Sequence, residues 1–244
     1  MLEAIKSFLT RSTGNAEMDA IAAWARRNGH RWKHEKDGEG FAIDGVSPTA
    51  PWRIEWGLPQ RPYIQGHELR IRMVLDLPPD LQMLVMTQGL EEALAKEAFE
   101  LGTQSNQTLV GDTVLEETRW LVMFPRIVFN QSKTLRNHYA GVSSLDYEGG
   151  SWLGARLAKS LERAAGKWLS TSPPFLLMTL RGRLYLRMQL AEPHESDIVA
   201  ALELFEIAAE EALRVARARG DAPVAWRGSK NISAWQKLPP DTQH

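Results

Sequence analysis

Four residues on two amphipathic segments have the chemistry to hold an anion. Arg70 and Arg72 alternate with Leu69, Ile71 and Met73, and Tyr185 and Arg187 alternate with Leu184, Leu186 and Met188. Successive side chains on a strand point to opposite faces, so each polar set shares one face. A guanidinium offers a planar fork of donors that fits carboxylate or phosphate. Arg70, Arg72, Tyr185 and Arg187 are therefore the candidate ligand-binding residues. The competing reading is cross-strand charge pairing with Glu68, Glu55 or Asp76 on a solvated face.

Other reactive groupings do not survive inspection. The chain has no cysteine, so disulfides, thiolate metal sites and cysteine nucleophiles are impossible. His30 and His34 have i, i+4 spacing, but they follow Gly29, a helix-ending residue. They read as solvated imidazoles near Trp32, and no metal site is expected. Gly149-Gly150-Ser151-Trp152-Leu153-Gly154 misses both the nucleophile elbow and the phosphate-binding loop by position and residue type. The pairs Glu91-Glu92, Glu116-Glu117 and Glu210-Glu211 are helix neighbours that do not face each other, and they read as solvated faces. No cofactor motif is present, so the reading leans away from an enzyme.

Tryptophan is over-used, with nine residues against seven Phe and four Tyr. Trp52 and Trp56 alternate with Arg53 and Glu55 and read as core. Trp226 and Trp235 lie in a C-terminal stretch without periodicity. Each is expected to dock in a groove of this chain or of a partner, where Trp is a favoured anchor.

The elements that would position these residues follow from periodicity and turn chemistry. Helices are expected over 16–28 and 90–101, from a Thr113/Glu116 capping box to Pro125, from Ser132 to Gly141, from a Ser151 cap to Leu169, and from a Ser196 cap to Gly220. Strands are expected at Phe41–Val46, Trp52–Trp56, Glu68–Leu77, Phe175–Leu180 and Arg183–Leu190, with a turn at Gly182. Leu81–Thr87 is apolar throughout and reads equally as a strand or a helix start.

The segments ELRIRMVLDLP (68–78) and RLYLRMQLAEP (183–193) match at five of eleven positions without gaps, at an offset of 115. Each leads toward an Ala/Glu-rich helix. The expectation is an α+β fold of two related strand-hairpin-plus-helix halves about a pseudo-twofold axis. The halves would be residues 1–102 and 103–220, with a docking tail at 221–244.

The 244 residues carry 29 basic and 30 acidic side chains, for a net charge of −1. That balance gives no global pull toward nucleic acid. No uninterrupted apolar run suits a spanning helix, and residues 1–12 could at most skim a membrane. A cytoplasmic location follows as the default, and arginine-over-lysine usage (20 to 9) suits a GC-rich bacterial genome. The function expected is a non-catalytic protein-binding or assembly module with a protein partner or a second copy of itself. The alternative is a binder or enzyme for a small anionic ligand in a cleft between the halves.

Overall fold

The computed structural model describes residues 16–35, 40–104, 114–130, 132–144 and 150–220, with the backbone alone for 101–104. Their fold is α+β, as expected. The elements are α1 (16–27), β1 (Arg31–His34), β2 (Phe41–Val46), β3 (Pro51–Gly57), β4 (Glu68–Val74), β5 (Met83–Thr87), α2 (Gln88–Gln104), α3 (Glu116–Met123), α4 (Lys133–His138), β6 (Tyr139–Ser143), a helical turn α5 (150–152), α6 (Ala155–Ala165), β7 (Phe175–Leu180), β8 (Arg183–Gln189) and α7 (Glu195–Gly220). The strands form one antiparallel sheet in the order β1-β2-β3-β4-β8-β7-β5-β6. It spans both sides of residue 102.

Alternation decides which face each strand buries. Ile43, Ile54, Leu69, Ile71, Met73, Leu184, Leu186, Leu177 and Val85 point to one face and pack with α1, α6 and α7 in a single core. Trp52 and Trp56 are buried there as expected. A smaller core lies on the opposite face, where Leu84, Met86, Val142, Leu176 and Met178 meet Leu90 and Leu94 of α2 and Trp120 of α3. β5 is buried on both faces, which is why its sequence has no alternation to read.

β4 and β8 lie side by side at the centre of the sheet. Ile71 faces Leu186, Leu69 faces Met188 and Met73 faces Leu184. The 115-residue offset equates these same positions, so a local twofold passes through the Ile71–Leu186 pair. The relation extends one strand further, with β3 beside β4 and β7 beside β8, and then breaks, and the duplication is not confirmed. Outward from β4 the strands run β3, β2, β1, whereas outward from β8 they run β7, β5, β6. The two Ala/Glu-rich helices, α2 and α7, pack on opposite faces of the sheet.

Several local expectations are corrected. β4 stops at Val74, not Leu77, because Asp76 adopts φ 50° and the Leu75 amide turns to donate to Gly182 O. Aspartate tolerates that left-handed conformation better than most residues. Arg181 and Gly182 both have positive φ, the two-residue hairpin geometry that matches strand twist. Gly154, not Ser151, precedes α6. α7 begins at Glu195, so Ser196 is inside it. Ser132 does cap α4, its hydroxyl accepting from the Leu135 amide at 3.2 Å. Thr113 lies outside the described residues, and α3 starts at Glu116 without a side-chain cap. Among the described residues no helix is long and apolar enough to cross a membrane.

Candidate functional site

The second face of the sheet changes chemistry along two continuous rows. One row reads Arg31, Asp44, Arg53, Arg72, Tyr185, Met178, Leu84, Val142 from β1 to β6. The next reads Lys33, Ala42, Glu55, Arg70, Arg187, Leu176, Met86, Ala140. Both switch from charged to apolar between β8 and β7. The apolar half lies under α2 and α3. Among the described residues, no helix packs over the charged half.

The four candidate residues therefore sit together. Arg70 is opposite Arg187 and Arg72 is opposite Tyr185. The environment divides them. Arg70 and Arg187 are only 12% and 13% exposed, and both reach Glu68, which is fully buried. The Gln60 amide also donates to Glu68 at 2.7 Å, and Arg70 donates to Leu58 O at 2.9 Å. These contacts draw the β3–β4 loop (58–67) down over this end of the seam. Arg61 and Tyr63 of that loop each meet Glu117 Oε1 of α3 at 2.7 Å. Burial, then the Glu117 carboxylate, pushes the Tyr63 hydroxyl's pKa far up, so it stays a donor. Arg70 and Arg187 thus serve the fold. Arg72 is 53% exposed and touches Glu55 only at 3.9 Å, so its donors remain available.

The expected charge pairing with Glu55 and Glu68 is present, whereas Asp44, Arg53, Lys33 and Arg31 were not anticipated. Asp44 draws Arg53 (2.8 Å), Lys33 (3.6 Å) and Arg31 (4.0 Å), and Glu55 draws Arg53 (2.7 Å), Arg70 (3.5 Å) and Arg72 (3.9 Å). Burial pushes both carboxyl pKa values up. The Arg53 hydrogen bond and the neighbouring cations outweigh it and hold both below the usual range. Arg53 and Glu55 alternate with Trp52 and Trp56, and that period was the available signal for them. Their partners across the sheet needed the register.

At the strand ends a cavity of about 720 Å³ is lined by residues from both faces of the sheet. Trp52 and Met73, both nearly buried, contribute to its lining, and so do the exposed Val46 and Val74. Arg31, Arg53, Arg72 and Arg183 bring charge, with Asp44 the acid among the lining residues. Gly45 is required here, since a Cβ would sit 2.2 Å from the Trp52 ring. Arg183 forms no ion pair with the described residues.

Two other expectations change. His30 packs edge-on against Trp52 and tilted against Trp24, not beside Trp32, and burial lowers its pKa. Among the described residues no three His, Asp or Glu side chains gather as a metal site. In each adjacent Glu pair one member turns inward. Glu91 accepts from Arg126, Glu117 from Arg61, and Glu211 from Arg214. Neighbours 100° apart on a helix can face opposite environments, which the solvated-face reading overlooked. Trp226 and Trp235 lie outside the described residues.

No family model matches the chain, and no curated protein matches it. A solved structure, that of the mycobacterial trehalose monomycolate transport factor A (TtfA), is similar over 80% of this chain and 93% of its own. Its identity is 9% and its TM-score 0.47.

Proposed function

We propose that the chain is a non-catalytic binding module that presents the uncovered half of the sheet face to an acidic segment of a partner protein. The observation that carries this reading is the charge imbalance of that half. Arg31, Lys33, Arg53, Arg72 and Arg183 stand there against Asp44 and Glu55. Each of those carboxylates already bridges three cations, which leaves neither free as a general base. Acidic side chains from a partner would complete the pairing and desolvate arginines whose planar forks favour carboxylates. The cytoplasmic setting and the absence of nucleic-acid binding, expected from the sequence, belong to the same proposal. So do Trp226 and Trp235 as further partner anchors.

The test uses the full chain and a fluorescent peptide of alternating Glu and Ser. Binding is expected at low salt, with a loss of at least about tenfold when Arg72 and Arg53 are both changed to Ala, an amount equal to about 1.4 kcal/mol. A Lys/Ser peptide should not bind. Equal binding of both peptides, or of the acidic peptide to the double variant, overturns the reading. Truncation after Gly220 separates any contribution of Trp226 and Trp235.

A further inference from the structure

The sheet treats its two edges differently. Along β6 the chain closes the edge itself, with the Ile127 amide donating to Gly141 O at 2.8 Å and the Ser143 amide to Pro125 O at 3.1 Å. At the other end β1 is the outermost strand, and among the described residues no strand pairs with its outer side. The β1–β2 ladder decides which groups face out. The Glu35 amide donates to Gly40 O at 3.1 Å, in register with the strand pairs, so Lys33–Ala42 and Arg31–Asp44 are the hydrogen-bonded pairs. The N–H and C=O groups of Trp32 and His34 therefore point away from the sheet, as those of alternate residues on an antiparallel strand do. Such a row is a template for one more strand.

The side chains of β1 select the occupant. Arg31 and Lys33 are exposed on the charged face and reach Asp44 only at 4.0 and 3.6 Å. Trp32 points to the other face, half-buried at the margin of the main core and stacked on Phe41 with ring centroids 4.6 Å apart. We propose that β1 takes a stretch of the partner's acidic segment as an added strand, with carboxylates at alternate positions beside Arg31 and Lys33 and apolar side chains between them beside Trp32. The inference rests on the docking role given to the charged half-face and adds that main-chain hydrogen bonds at its edge hold the segment. A second copy of this chain suits the edge poorly. The antiparallel register that engages Trp32 and His34 of both copies sets Lys33 against Lys33, and like charges directly opposite are destabilising. Carboxylates at those positions reverse the sign.

In an extended peptide of alternating Glu and Val, the Val amides lie on one edge and the Glu amides on the other. Two isomers, N-methylated at every Val or at every Glu, each block one edge, and their affinities for the full chain are compared with that of the unmethylated peptide by fluorescence anisotropy. One isomer should lose at least about tenfold, the scale of two or more lost backbone hydrogen bonds, and the other less than about threefold. The isomer that fails reports whether the added strand runs antiparallel or parallel to β1. With the unmethylated peptide, hydrogen exchange at the Trp32 and His34 amides should slow by at least about tenfold. Equal affinities of the two isomers, or no added protection at Trp32 and His34 while the unmethylated peptide binds, overturn strand addition and leave the docking face standing. Protection of both amides in the free full chain means that another segment or a second copy already holds the edge, and overturns strand addition too. No binding of the unmethylated peptide overturns both readings.

Discussion

The two halves of the sheet's second face are built from the same rows of strand residues but solve different problems. Under α2 and α3, Met178, Leu84, Leu176 and Met86 meet Leu90, Leu94 and Trp120 and exclude water. Across β8, the same rows continue as arginines and carboxylates, with no helix above them among the described residues. The border is one strand wide. Tyr185 and Tyr63 lie along it, each packing partly against the smaller core. An amphipathic tyrosine suits that position, with an apolar body toward one half and a polar tip toward the other. Apolar pattern thus dictates where the second helical layer stops.

The largest effect should come from moving the border. Met86→Arg places a charge beneath α2 within the smaller apolar core. The variant is expected to lose more than about 4 kcal/mol or fail to fold, read by urea denaturation. Near-wild-type stability would mean that the covered half is not a true core. The next largest should come from Glu68→Ala. It leaves Arg70 and Arg187 opposed, nearly buried and without their shared carboxylate. Removing one partner of a buried pair costs about 3–5 kcal/mol, and the same melts would show it. A cost under 1 kcal/mol would show that the seam is not held by Glu68.

Much of this arrangement was legible in the sequence. Strict alternation at 68–74 and 183–189 placed Arg70, Arg72, Tyr185 and Arg187 on the polar faces of their strands, and the structure joins those faces. What alternation cannot convey is which strand lies beside which. The Arg70–Arg187 opposition, the burial of Glu68 and the reach of Glu117 to Arg61 all depend on contacts distant in sequence. Glu117 was hidden for a second reason. One member of an adjacent Glu pair looks like its neighbour until the helix is docked. The echo at 115 residues falls on the two central strands, although it was read as a sign of two related halves, not of one shared sheet. It did not foresee that β5 would insert between β7 and β6, since chain order and sheet order diverge there.

A third prediction concerns pH. Asp44 and Glu55 have lowered folded-state pKa values. Their contribution to stability is therefore present above the unfolded carboxyl range near pH 4 and is lost as pH falls through the folded values. Thermal melts between pH 6 and 2.5 should show that loss, and Arg53→Ala should weaken it, because Arg53 serves both carboxylates. An unchanged acid profile in Arg53→Ala would contradict the pairing. The smallest stability effect belongs to Arg72→Ala, within about 0.5 kcal/mol, as for an exposed side chain outside any core. That variant separates binding from folding and so sharpens the contrast with Glu68→Ala.

The central claim, that the uncovered half is a docking face for acidic chain, is tested most directly by an amide NMR titration of the full protein with the Glu/Ser peptide. The account predicts shifts concentrated on β1–β4 and β8, strongest near Arg53, Arg72 and Arg183, and abolished in Arg53→Ala/Arg72→Ala. Shifts centred on α2 and α3, or none at saturating peptide, would contradict it.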